Sequence, residues 1–458
     1  MHLTNSAGIE SRTTPLAPVR SAMAEALAFP GLLSKIVRNL IESWPDAVYR
    51  EPLVEGRFLG RRTTYVCDPA LIRQLLVDEA DGLLREDFML RALCPALGQG
   101  ILTADGARWR TQRQAVAPMF RHDRIAHFVP AMEAALSATR ERLRQGDRRV
   151  DLLDEMMRAT FAIMGATMLS DEPGLDVEAF GRALTDYLDQ VSWKIAVTML
   201  GAPAWTPHPG YLRGRRAART LRSMIGETIA ARRRSGRDGA DLLGLMLSVR
   251  NPEGGAAMSD EALVDNLLTF VAAGHETTAL AMAWTFRLLA EHPGIEARVL
   301  DEIAAAGAGA AEALPYTRQV VMETMRLYPP APLIVRQTLR PIRLGGTTLP
   351  AGRSVHVPIY AVHRHKALWT SPEVFDPDRF GSAASAGRDK YGYLPFGAGP
   401  RICIGMSFAL TECVTILRML LPVFRFEVGP GRRPEARFKV SLRPHGGMPM
   451  RVVPRAMQ

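Results

Sequence analysis

Only four cysteines occur in 458 residues, Cys67, Cys94, Cys403 and Cys413, and no two of them form a CxxC or sit at zinc-ligand spacing. That leaves no disulfide framework and no thiol-built structural metal site, and it fits a reducing compartment. Long apolar runs are also missing. The most apolar N-terminal stretch, ALAFPGLLSKIV (26–37), is broken by Pro30 and falls short of the ~20 residues that cross a bilayer. With neither a signal-peptide pattern nor a transmembrane anchor, the chain is expected to be cytoplasmic. There is no internal repeat and no linker dividing the chain, so a single domain over residues 1–458 is expected. The longest biased segment, AAAGAGAAEAL (304–314), reads as a connection between helices.

Lys and Arg outnumber Asp and Glu by 57 to 47, a surplus of ten, and the resulting positive field favours acidic partners. No nucleic acid is expected among them. The densest basic run, Arg232-Arg233-Arg234, has no interleaved aromatics on which bases could stack. Hydrophobic residues at 47% and charged residues at 23% are ordinary globular proportions.

Helical periodicity dominates the middle of the chain and predicts helices over 106–120, 129–145, 151–170, 174–200, 211–234, 239–249, 259–291, 293–306 and 315–327. Strand-like segments lie at 47–66, 333–360 and 422–453, with 1–45 as an N-terminal segment. The expected class is mainly α with a small β lobe. The clearest helix opens at Ser259, a good N-cap followed by Asp260 and Glu261, and ends before Pro293. Its apolar sequence LLTFVAAGHETTALAMAW must run through the interior, yet Gly274 and the run His275-Glu276-Thr277-Thr278 interrupt it. Thr277 stands four residues after Ala273, so its hydroxyl can reach that carbonyl and open a notch beside the Glu276 carboxylate. The same residues also read as a packing glycine beside a satisfied polar turn.

On the next helix but one, Glu323 and Arg326 share a face at i and i+3 before Pro329 and Pro330 end it. They read either as a surface ion pair or, with Arg379 of FDPDRF, as a three-member network. The stretch FGAGPRICIG (396–405) holds Cys403 between glycines, a proline and an arginine. The apolar helix IGMSFALTECVTILRMLL begins there, and a thiol at a helix start sees amide N–H groups that depress its pKa. Cys413, inside that helix without glycines, reads as a small buried hydrophobe.

Phe396, Gly399, Arg401, Cys403 and Gly405 spell F-x-x-G-x-R-x-C-x-G, which resembles the haem-binding loop of the cytochromes P-450. The A-G-x-E-T-T from Ala273 to Thr278, the E-x-x-R at Glu323, the arginine of PDRF and the W-x-x-x-R from Trp109 to Arg113 stand in that family's order. The resemblance implies the cytochrome P-450 fold, an α-helical prism around a buried haem b (iron protoporphyrin IX), and insertion of one oxygen atom into a substrate. It further implies Cys403 as axial iron ligand, with Phe396, Gly399 and Gly405 shaping its loop so that a flat macrocycle lies close. Trp109, Arg113, Arg336 and Arg401 would hold the propionates, Ala273 and Gly274 would admit dioxygen, and Glu276 with Thr277 would relay protons. Glu323, Arg326 and Arg379 would be structural. His275 reads as a satisfied polar residue, not a ligand.

Electrons would come from a ferredoxin or flavodoxin-type donor with its reductase, docking through Arg110, Arg121 and Arg124. Leu90, Phe270, Leu333, Ile334, Val335 and Met448 are candidate pocket residues, nearly all apolar, suited to a fatty acid, terpenoid or steroid. A peroxide-driven peroxygenase or haem isomerase is the alternative on the same fold. A haem-thiolate gas sensor is the alternative of another class.

Overall fold

The computed structural model describes residues 19–20, 38–58, 61–145, 149–169, 176–199, 201–203, 205–236, 239, 241–249, 258–307, 314–429 and 433–455. The apolar N-terminal run, and residues 308–313 of the alanine- and glycine-rich connection, lie outside them. The longer helices are α1 (Asp87–Leu97), α2 (Gly106–Val116), α3 (Val129–Gln145), α4 (Leu152–Met168), α5 (Val177–Met199), α6 (Tyr211–Ser235), α7 (Asp260–Glu291), α8 (Pro293–Ala306), α9 (Pro315–Leu327) and α10 (Met406–Leu420).

Helix α7 begins as the sequence predicts: the Ser259 side chain accepts from the Ala262 amide, and Asp260 and Glu261 occupy the first turn. Its 32 residues span about 48 Å at 1.5 Å per residue. It packs on α4, α6, α9 and α10, so it is buried on nearly every face. Helix α1 has no counterpart among the helices predicted from periodicity, which begin at residue 106. Pro95 lies inside the helix, where its ring removes only a bond to the carbonyl of Arg91, a residue on the exposed side.

The β structure draws on distant parts of the chain. Strands β1 (Val19–Arg20), β2 (Leu53–Phe58), β3 (Arg61–Val66), β4 (Leu83–Leu84), β6 (Ile334–Thr338) and β9 (Ser354–Val357) form one sheet in the order β1-β2-β3-β9-β6-β4. Strand β5 (Arg149–Asp151) joins β13 (Pro449–Pro454) and β10 (Phe424–Val428) in a second sheet. Two hairpins complete the set, β7 (Ile342–Leu344) with β8 (Thr347–Leu349) and β11 (Ala436–Phe438) with β12 (Leu442–Pro444). Strands β4 and β5 carry no periodic signal; two or three residues are too few to show one. Apolar side chains gather in two clusters, one among the helices and one under the first sheet. The Cys403 loop lies where they meet: Phe396 and Ile404 pack on the first, Leu394 and Ala398 on the second.

Candidate functional site

Residues 396–405 turn back on themselves, the Cys403 amide donating to the Phe396 carbonyl at 2.9 Å. Gly397 and Gly399 adopt positive φ, 74° and 71°, which only glycine takes without strain. A Cβ on Gly399 would also collide with the Leu76 carbonyl oxygen. Gly399 therefore serves a turn and a close backbone approach on the sheet side, not clearance for a macrocycle as the sequence suggested. Gly405 differs: its φ is −85°, and a Cβ there would meet only Cys403 Sγ, at 4.0 Å.

Cys403 is exposed as a residue although protein crowds around its thiol. Burial pushes its thiol above the ordinary value, while the Gly405 amide and the Arg113 guanidinium pull it down. The expectation of a depressed thiol is thus reversed for the chain's own groups. Desolvation outweighs two favourable dipoles. Among the described residues no cluster of three His, Cys, Asp or Glu side chains offers a different metal site, and a coordinated cation deprotonates a thiol outright.

Arginines crowd beside the loop. Arg401 donates to the Ala104 carbonyl at 2.8 Å and to Asp105 Oδ1 at 2.5 Å, and its guanidinium stacks 4.0 Å from the Trp109 ring. Arg85 reaches the same Ala104 carbonyl and Asp105 Oδ1, each at 2.9 Å. The β4–β6 ladder pairs Leu84 with Gln337, so its next step outward sets Arg85 opposite Arg336. Arg85 and Arg401 thus share one carboxylate, while Arg336 donates to the Val335 carbonyl at 2.8 Å and feels Asp105 and Arg85 only through their charges. Burial depresses all three, and repulsion adds to it for two of them, Arg401 falling to about 9 and Arg336 to about 10. Such a surplus of buried positive charge suits an anionic partner. Arg113 does not join this cluster; it donates to the Ile402 carbonyl at 2.9 Å, beside the thiol. Arg85 and Asp105 are absent from the sequence reading because only the folded ladder and the α2 N-terminus bring them to Arg401.

On α7, Ala273 is exposed and Thr277 half-buried in the middle of an otherwise buried rod, and the Thr277 hydroxyl donates to the Ala273 carbonyl at 2.7 Å. Gly274 faces the other way. A Cβ on it would come 2.5 Å from Met164 Cε on α4, so it is a helix-packing glycine, which corrects its assignment to a dioxygen notch. Glu276 is also turned away from Thr277. It accepts from Ser441 Oγ and from Arg443 Nε, the latter at 2.8 Å. These groups hold its carboxyl below the usual range in spite of burial. His275 is buried edge-on to Phe161 and pushed down to about 4 by burial. Its Nδ1 has no hydrogen-bond partner among the described residues, so it is less satisfied than the sequence reading supposed.

Of the pocket candidates, Leu90, Leu333, Ile334 and Val335 are half-buried, and Ile334 Cδ1 lies 3.7 Å from where a Gly397 Cβ would stand. Phe270 shares a face of α7 with Ala273 and Thr277 and packs edge-on to Phe120, ring centres 5.2 Å apart. Met448 is wholly buried, its amide bonded to Asp151 and its carbonyl to the Leu152 amide. It belongs to the core among the helices at the β5–β13 junction, which corrects its assignment as a pocket residue.

Behind the loop, Glu323 and Arg326 have no exposure at all and are joined by bonds of 2.7 and 2.8 Å. Arg379 Nε stands 3.5 Å from Glu323.

The residues present fit a thiolate-ligated haem: one accessible thiol, an anion-seeking arginine cluster for two propionates, and an apolar rod with a single exposed alanine. A family model described as Cytochrome P450 matches residues 46–449. The chain is 34% identical over 392 residues to a cyclooctat-9-en-7-ol 5-monooxygenase of Streptomyces melanosporofaciens, covering 83% of each chain. It is 32% identical over 414 residues to a cyclooctatin synthase of the same organism, covering 88% of each. In structure it is similar to a cytochrome P450DA heme domain, with a TM-score of 0.81 over 97% of this chain and 99% of that one, at 24% identity.

Proposed function

The chain belongs to the cytochrome P450 family of haem-dependent oxidoreductases, and from that premise we propose that it inserts one atom of dioxygen into a cyclic terpenoid-like hydrocarbon or alcohol. Electrons arrive singly from a separate ferredoxin or flavodoxin-type donor and its reductase. The catalytic unit is the single domain read from the sequence, with haem b as its cofactor.

The observation that carries this reading is an exposed Cys403 beside three crowded guanidinium groups with one carboxylate, Asp105, among them, bonded to Arg85 and Arg401. Cys403 would hold the iron, and Arg85, Arg336 and Arg401 would take the propionates, with Trp109 stacked on Arg401. As is general in this family, the bound haem supplies oxygen activation, its thiolate ligand favouring O–O cleavage. Thr277 would present its hydroxyl, fixed by the bond to the Ala273 carbonyl, to the bound oxygen substrate and would hold or pass a proton there. The Glu323, Arg326 and Arg379 network keeps the proximal side in place. Leu90, Phe270, Leu333, Ile334 and Val335 exclude water and orient an apolar substrate. The substrate class is supported by that lining and by a relative whose name places its action on an unsaturated cyclic alcohol.

The test is spectroscopic and then chemical. Purified protein should carry a Soret band that Cys403→Ala abolishes or shifts, and cyclic terpene alcohols should move it on titration. With a ferredoxin system, product should contain one atom from isotopically labelled dioxygen. A colourless protein, or a Soret band indifferent to Cys403→Ala, defeats the proposal; turnover with peroxide but not with reductase makes the chain a peroxygenase instead.

A further inference from the structure

A buried carboxylate near the start of α7 joins elements that stand apart in the function described so far. Asp265 is 3% exposed. Its Oδ2 accepts from the Gln99 amide and its Oδ1 from Arg222 Nη1 on α6, each at 2.7 Å. Arg222 Nη1 also donates to the Ala96 carbonyl in the last turn of α1, at 3.0 Å. Helices α1 and α6 pack on α7 and on each other, and the Asp265–Arg222 pair pins that junction. Removing one member of such a pair strands the other charge, so the pin is not easily lost.

Further bonds carry the connection along the chain. Asn266 Oδ1 accepts from the Ile101 amide, and Gln112 Nε2 of α2 donates to the Gln99 carbonyl, both at 2.9 Å. Gly98 has a φ of 53°, and a Cβ on it would collide with Asp265 Oδ1; a Cβ on Gly100 would lie 2.6 Å from the Asp265 carbonyl oxygen. Two glycines thus let the chain press directly against α7. Thr103 Oγ1 donates to the Gly98 carbonyl and the Ala104 amide to the Gly100 carbonyl, both at 2.8 Å. The stretch 98–105 is therefore knitted into a stiff strap. One end rests on Asp265, and the other presents the Ala104 carbonyl and the Asp105 carboxylate to Arg85 and Arg401.

We propose that Asp265 is a positioning residue that couples the helices over the apolar pocket to the arginines that take the propionates. It holds α6 against α1, the helix of the pocket residue Leu90, and through the strap it holds Asp105 between Arg85 and Arg401. A shift of α6 against α1 is consequently felt at those arginines. The inference rests on the propionate assignment of Arg85, Arg336 and Arg401.

The experiment uses the haem-loaded full chain and two variants. Asp265→Asn keeps the shape but leaves one acceptor oxygen for two donors and no counter-charge for Arg222. Arg222→Met removes the α6 arm and keeps the bond from Gln99. In Asp265→Asn the Gln99 and Ile101 amides should exchange with heavy water roughly tenfold faster, while those of α9 stay unchanged. In Arg222→Met the Ala104 amide should also exchange faster, although none of its own bonds has been removed. Haem loss to apomyoglobin, followed at the Soret band, should quicken several-fold in both variants.

Transmission is read by a double-mutant cycle on haem loss with Arg401→Lys, at a site that touches neither Arg222 nor Asp265. Distant sites without shared partners add. Arg222→Met and Arg401→Lys should instead be non-additive, and should become additive in the presence of Asp265→Asn. If Asp265→Asn takes up no haem, the cycle with Arg222→Met alone decides. Additive effects, unchanged Ala104 exchange in Arg222→Met, or exchange that rises equally in α9 overturns the proposal. Haem loss indifferent to Arg401→Lys would remove the propionate assignment instead, and Ala104 exchange would then decide whether α6 and the strap are coupled.

Discussion

At the scale of single residues, the three glycines nearest Cys403 look alike in the sequence and are not alike in the fold. Gly399 is fixed twice, by a φ of 71° and by the Leu76 carbonyl oxygen in the path of any Cβ, and backbone atoms cannot swing aside as a side chain can. Gly399→Ala should therefore cost on the order of 3 kcal/mol or more, read as a lower thermal midpoint and a preparation poor in haem. Gly405→Ala meets only the sulfur at 4.0 Å and should fold and bind haem much as the wild type does. Equal effects of the two would show that φ and the Leu76 contact do not set the loop. Sequence spacing reveals where glycines stand, but not which carbonyl approaches them from another element. For the same reason Arg85 and Asp105 escaped notice: each gains its meaning from a partner brought in by the fold. Cys403 and Thr277 were legible because their partners are local, the Phe396 carbonyl for the loop and the Ala273 carbonyl for the hydroxyl.

At the scale of elements, α9 shows how a short motif organises a region much larger than itself. Arg326 spends its planar fork on Glu323 and reaches outward to the carbonyls of His363 at 2.8 Å, Pro372 at 2.7 Å and Val374 at 3.1 Å. Glu323 in turn accepts from the Asp376 amide at 3.0 Å, and Arg379 binds the carbonyls of Thr370 and Ser371 at 2.6 and 3.0 Å. Carbonyls of the chain from His363 to Val374 that turns leave over are satisfied by these two guanidinium groups, which tie that chain to α9. Lysine keeps the charge but concentrates it at one point with three donors. Arg326→Lys should strand several buried acceptors and cost about 3–5 kcal/mol, seen as little or no soluble haem-loaded protein. Near-normal yield and melting would mean that the fork is dispensable. Periodicity found α9 and α7 nearly to the residue, since amphipathic or apolar faces are written locally. It could not find α1, where Pro95 imitates a break, nor β4 and β5, which exist only because another strand pairs with them.

At the scale of the whole molecule, the surplus of ten positive charges is unevenly used. Many arginines are spent internally, on Asp105, Glu323, Asp241 and Glu276. A docking field for an acidic electron donor must come from those left free near the thiolate. The short helix His122–Ala126 and α2 flank the Cys403 loop, the first packing on α10 and the second tied to Ile402 through Arg113. On them Arg110 sits 3.8 Å from Asp81 and Arg121 3.2 Å from Asp123, whereas exposed Arg124 makes no ion pair among the described residues. Arg124 is accordingly the charge with most to offer a partner. Steered association is fast at low salt and fades over a Debye length of about 10 Å at 0.1 M. Arg124→Glu should slow donor-dependent haem reduction roughly tenfold at low ionic strength and flatten its salt dependence, so that the two proteins converge as salt rises. Arg219→Glu, which makes the same charge change on exposed α6, controls for net charge alone. If both variants slow reduction equally, the field of the whole molecule steers the donor and no thiolate-side patch exists; if neither does, the partner is not guided by charge.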